Sequence, residues 1–128
     1  MAGRRRRRAD AVLYRGDQGD SESNGKGRKE MSNFIRRNVP VVELLAGLAE
    51  ECCELAQAAL KLRRVFDGTN PTPISEEEAI EDLHEEIADV KLYCSQLDIS
   101  VRHISEIMER KQKRWEDRIN ERGKVLQV

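Results

Sequence analysis

No run of about 18 consecutive apolar residues occurs in the chain, so no segment is expected to span a membrane. Aromatic residues make up only 4% of it, while Leu, Ala, Glu, Lys and Arg recur in blocks, a composition that favours helix over sheet. Three cysteines are too few, and odd in number, for a disulfide framework, and they lack the spacing of a metal knuckle. Cys52 and Cys94 are expected as small core residues and Cys53 as an outward one, in a reducing cytoplasm. The sequence offers no phosphate-loop glycine pattern and no Ser/His/Asp grouping. Its two histidines, His84 and His103, are expected at the surface. Glu81-x-x-His84 has the spacing of a di-iron helix ligand, yet both fall on an outer face and the motif occurs once where two are needed.

What the chain does have is charge, unevenly placed. The 128 residues are 38% apolar and 37% charged, which suits one small domain with a thin core. Residues 1–30 carry nine Lys/Arg against five Asp/Glu, including the run Arg4 to Arg8, and the rest carries fourteen against nineteen. The first thirty residues have almost no apolar content beyond Val12, Leu13 and Tyr14, so they are expected to be a disordered basic extension. Either it is an arm for nucleic acid, or it is a solvated extension upstream of a start at Met31. No apolar stretch follows the arginines, so it does not read as a secretory signal.

The remainder predicts an all-α fold. A helix should run from about residue 40 to 66, with Pro40 in its first turn and Gly47 as a weak point. Asp67-Gly68-Thr69-Asn70-Pro71-Thr72-Pro73 breaks it. Ser75, with Glu78 three residues on, forms a capping box for a second helix reaching about 97. Ser100 can cap a third over about 101–121, with the stripe Val101, Ile104, Met108, Trp115 and Ile119, and Gly123 should end it.

Within this frame the carboxylates are out of place. Leu48, Cys52, Leu55, Ala59 and Leu62 share one face of the first helix, and Glu51 lies only about 60° from its centre, with Glu54 about 120° away. In the second helix Leu83, Ile87, Val90, Cys94 and Leu97 form the face, and Glu86 and Asp89 repeat the same two offsets, about 60° and 120°. A short loop makes the helices antiparallel neighbours, and counting residues back from it puts all four acids at nearly one height. Carboxylates edging into a buried stripe are costly unless paired with a cation or a metal. Lys111 is the converse anomaly: a cation within about 50° of the third helix's stripe, flanked by Arg114 and Arg118. A tight turn at residues 98–100 would bring it level with the acids, as a metal-bound polyphosphate requires.

Glu50-Glu51-x-x-Glu54, followed after a loop by Glu86-x-x-Asp89, resembles the signature of MazG-type all-α nucleoside triphosphate pyrophosphohydrolases, relatives of dimeric dUTPases. LAEECCELAQAALKL, the NPTP loop and EEIADVKLY extend the resemblance over about Leu44 to Trp115. It implies Mg²⁺-dependent hydrolysis of a nucleoside triphosphate to the monophosphate and pyrophosphate, with Mn²⁺ as a substitute ion. By position Glu51, Glu54, Glu86 and Asp89 become metal ligands, and Glu50 and Glu51 the catalytic acids. Lys111, Arg114, Arg118 and Asn70 are the candidates for contacting substrate. The domain so defined covers residues 31–123, leaving 124–128 as a tail. No full extra helix is expected between Met31 and Val39. Three apolar helix faces exceed what so small a core covers, so the bundle should be completed in a homodimer or homotetramer. The alternative is a non-enzymatic helical adaptor whose acidic patch binds a basic partner. Tyr93 and Trp115 can stack on a base, though a stripe-facing Trp more often packs in a core.

Overall fold

The computed structural model describes residues 34–125. The expected basic extension over residues 1–30 and most of the tail lie outside these. The described residues are all-α, with no strand among them. A helical stretch over residues 34–38 precedes three long helices, α1 (Val41–Asp67), α2 (Glu76–Gln96) and α3 (Val101–Val125). Packing separates them into two units, the first ending at Leu97 and the second beginning at Asp98. None of these helices is long and apolar enough to cross a membrane.

Local signals set most of the boundaries. Pro40 occupies the N-cap of α1, where its missing N–H has no partner to lose. At the other end Gly68 adopts φ 79°, and the amides of Gly68 and Thr69 donate to the carbonyls of Val65 and Arg64. That left-handed closure suits a residue without a Cβ. Thr69 also donates to the Asp67 carboxylate through side chain and backbone, which holds Asp67 below the usual carboxylate range. Ser75 and Glu78 cap α2 reciprocally, as the sequence leads one to expect. Ser100 caps α3 through the amide of His103, but Gly123 does not end the helix, which continues to Val125. Gly123 is exposed with open space around it, so nothing there selects the left-handed turn a glycine permits.

In the first unit α1 and α2 run antiparallel. Leu62 packs with Ala79 and Ile80 near the loop, joined by Val65, Phe66, Ile74 and Leu83. Further along, Lys61 meets Asp82, then Glu51 and Glu54 meet Glu86, and finally Gly47 meets Tyr93. A Cβ on Gly47 would come within 2.5 and 2.6 Å of the Tyr93 ring Cζ and Oη. This close approach explains a glycine inside a helix, where it gives up about 1 kcal/mol relative to alanine. Arg36 then donates to the carbonyls of Ser95 (2.8 Å) and Leu97 (3.1 Å), fastening the 34–38 stretch to the end of α2. The last turn of α2 has no cation of its own, and Arg36 supplies one to its negative pole.

The packed seam is rotated from the stripes expected on hydrophobicity alone. Leu44, Gly47, Ala58 and Leu62 are the buried positions of α1, whereas Cys52 is exposed and Leu48 and Leu55 only half-buried. In α2, Gln96 is buried while Ile87 is exposed, and Cys94 is half-buried rather than core. Small side chains account for this: Gly47 and Ala58 let the backbones approach, and the helices meet where approach is closest rather than where apolarity is greatest. The rotation carries Glu51 into the row of seam residues Leu44, Gly47, Glu51, Ala58 and Leu62.

Candidate metal and phosphate site

Glu51 and Glu54 are three residues apart in α1, and Glu86 and Asp89 are three apart in α2, so each pair projects from one side of its helix. Antiparallel packing brings the pairs together. One carboxylate oxygen from each of Glu51, Glu54 and Glu86 lies within 4.8 Å of the other two. Glu51 and Glu86 are half-buried, and Glu54 and Asp89 are exposed. Oε2 of Glu86 is buried with no donor directed at it.

The electrostatics follow from this crowding. Partial burial, then the charges of Glu54, Asp89 and Glu50, push the Glu51 carboxyl above the usual range. Partial burial is again the first cause at Glu86, followed by Glu54, Asp89, Glu51 and Glu85. Taking a carboxylate out of water and placing others beside it both disfavour the ionised form. Lys61, a cation of the same helix face, does not relieve them: it bonds Asp82 at 2.7 Å and none of the four site acids. The donor set is wholly carboxylate oxygen, the chemistry of a site for a hard divalent cation.

Beside the acids a groove of about 480 Å³ is lined by Glu54, Lys61, Arg64, Asp82 and Glu86. It holds both signs of charge. Arg64 and Lys61 were not singled out by the sequence, because they lie on the polar side of the apolar stripe and look there like ordinary surface residues. The signal that marks them is spacing: Lys61 follows Glu54 by seven residues, two helical turns on nearly the same side, and Arg64 comes three residues after Lys61, about 60° further round.

The other expected site residues are placed differently. Glu50 is exposed and lines a separate cleft with Tyr93 and Gln96 at the open end of the α1–α2 pair. Asn70 lies in the connecting loop, where its amide donates to the Thr72 carbonyl, and Glu54 is about 20 Å of helix away from the start of that loop. It therefore serves the turn and not the acid site. Lys111, Arg114 and Arg118 lie together on one surface of α3 with Met108 and Trp115. Trp115 is 66% exposed, so it is not the core residue its stripe position suggests. His84 and His103 are exposed, each near an acid of its own helix, as expected of surface histidines. Compared with known proteins, the chain matches no family model, no curated protein and no solved structure.

Proposed function

We propose that this chain is a divalent-metal-dependent nucleoside triphosphate pyrophosphohydrolase of the MazG type, releasing a monophosphate and pyrophosphate. The observation that carries this reading is the meeting of Glu51, Glu54 and Glu86 within 4.8 Å, one of them with a buried oxygen lacking any donor. Acids this close repel one another at neutral pH, and a resident Mg²⁺ or Mn²⁺ is the natural compensation. Glu51, Glu54 and Glu86, with Asp89 beside them, would hold it. When bound, such an ion neutralises phosphate oxygens and makes a coordinated water more acidic. Glu51, with Glu50 next to it as an accessory acid, is the carboxylate proposed to accept a proton from the attacking water. Arg64 presents a planar fork to the polyphosphate in the groove beside Glu54 and Glu86, and Lys61 adds a second positive charge.

Incubation with a panel of ordinary and modified triphosphates in Mg²⁺ should yield equal amounts of monophosphate and pyrophosphate, and chelation should stop the reaction. Release of orthophosphate, or no product across the panel, overturns the reading in favour of a binding role for the acidic groove. Assembly belongs to the same proposal. Val41 (63%), Leu45 (51%) and Leu60 (51%) of α1 are exposed, which supports pairing with a second copy. Light scattering should give a dimer or tetramer mass, and a fully active monomer contradicts it.

A further inference from the structure

The groove beside the acids contains an ion pair whose place stability does not explain. Lys61 Nζ of α1 bonds Asp82 Oδ2 of α2 at 2.7 Å, and both side chains line the groove together with Glu54 and Glu86. The two side chains are 36% and 43% exposed, and pairs this open to water contribute little to folding. Another acceptor stands one helical turn away. Asp82 and Glu86 are four residues apart in α2, so they project from the same side of the helix about 6 Å apart. Glu86 Oε2 is buried and accepts no hydrogen bond, and oxygens of Glu51 and Glu54 crowd the same carboxylate. A cation is what this cluster lacks. The ammonium of Lys61 nevertheless goes to Asp82, the neighbouring acid that lies outside the cluster.

We propose that Asp82 is a positioning residue: by holding Lys61 away from Glu86, it keeps the carboxylate cluster open to a divalent cation. That the cluster takes a metal at all rests on the reading under Proposed function. Were Asp82 uncharged, Lys61 could turn to Glu86 and give the buried oxygen the donor it lacks. A charge-assisted bond of this kind is among the stronger hydrogen bonds, and a metal would have to displace it before binding. With Asp82 in place the ammonium is already satisfied, and it stays in the groove wall beside Arg64. Asp82 thus acts through Lys61 and is not itself a ligand of the ion.

The test is calorimetric titration of Mn²⁺ into the full chain without nucleotide, at physiological ionic strength. Asp82→Asn should bind the ion about tenfold more weakly than the unaltered chain, because Lys61 now competes for Glu86. Asp82→Glu keeps the charge and should restore affinity to within about threefold. Loss of a nearby negative charge would also weaken binding without any movement of Lys61, and a double-mutant cycle separates the two. Lys61→Met should change metal affinity by less than about threefold where Asp82 is present, and should raise it about tenfold in the Asp82→Asn chain. None of these substitutions touches the buried cluster of Leu62, Ala79 and Ile80, and retained helical circular dichroism checks each fold. The metal-free Asp82→Asn chain should melt no lower than the unaltered one, since Lys61 exchanges one acid for a more crowded one. Undiminished affinity in Asp82→Asn, or the same effect of Lys61→Met in both backgrounds, overturns the proposal and leaves the metal site standing. Absence of Mn²⁺ binding by the unaltered chain overturns the metal site and this proposal with it.

Discussion

The two ends of the α1–α2 seam are built from the same pair of helices by opposite rules. Near the loop, Leu62, Ala79 and Ile80 are buried and joined by four further apolar side chains, so the contact is dry and filled. Toward the open end, the seam passes through Glu51, Glu54 and Glu86 and then reaches Gln96, whose amide oxygen is buried without a partner. Burying acids next to one another lowers stability, and leaving an amide oxygen unpaired lowers it further. Such features persist where the arrangement serves a ligand, and the filled end supplies what the other end gives up. On the proposed reading, stability and chemistry are separated along one interface.

Substitutions at the two ends should therefore diverge, and the largest effect is expected at the acids. Glu51→Gln should lower Mg²⁺-dependent pyrophosphate release by about 10²-fold or more, since even groups supporting a metal ligand are worth 10–100-fold. The same change should leave the metal-free melting temperature unchanged or higher, because it removes a charge from a repelling set. Near-normal turnover in this variant would dissolve the distinction between the ends.

Leu62→Ala is the opposite case. It deletes a side chain that is 3% exposed, and urea unfolding should show a loss of about 2–5 kcal/mol. The folded fraction should hydrolyse substrate at the ordinary rate. A stability change below about 1 kcal/mol would mean that the loop end is not the anchor. Gly47→Ala should lower stability through Tyr93. The added methyl forces the ring outward, and overpacking of this kind destabilises by about 1–3 kcal/mol. An ordinary surface glycine in a helix would instead gain stability on becoming alanine, so the sign of the change decides the point.

The pH dependence is the smallest expected effect and carries a defined sign. Glu51 and Glu86 have folded-state proton affinities above the unfolded values, so just above the ordinary carboxylate range the folded chain holds protons that the unfolded chain releases. Their contribution is unfavourable at neutral pH and is relieved as pH falls through the raised values. Asp67 works the other way, but only once pH drops toward or below the ordinary carboxylate value, so the two windows are separate. The metal-free protein should therefore melt higher at about pH 5.5 than at about pH 7.5, with a smaller rise in Glu51→Gln. A fall in melting temperature over that interval would contradict the crowding of the acids.

Much of this was legible in the residues. Helical periodicity, the Ser75–Glu78 box and the Gly68 stop define α1 and α2 closely, and the spacing of Glu51, Glu54, Glu86 and Asp89 anticipates that the acids converge. The direction of the seam was not legible. A hydrophobic stripe averages side-chain apolarity around the wheel, so it placed Cys52 inside, whereas the packing follows the small residues Gly47 and Ala58. Arg36 was hidden for another reason: its role as a cation for the end of α2 depends on a contact across 59 to 61 residues of chain, which no local pattern encodes. Gln96 was hidden as well, since a polar residue in the last turn of a helix ordinarily faces water.

Calorimetric titration of Mg²⁺ and Mn²⁺ into the unaltered chain and into Glu86→Gln, at neutral pH and without nucleotide, addresses the site most directly. Glu86 is the acid whose oxygen is buried without a donor, and the substitution preserves its shape. The unaltered chain should bind either ion saturably, and Glu86→Gln should bind about tenfold more weakly or worse with its helical content intact. Absence of binding to the unaltered chain, or equal binding by both, would contradict the assignment of these carboxylates as a metal site.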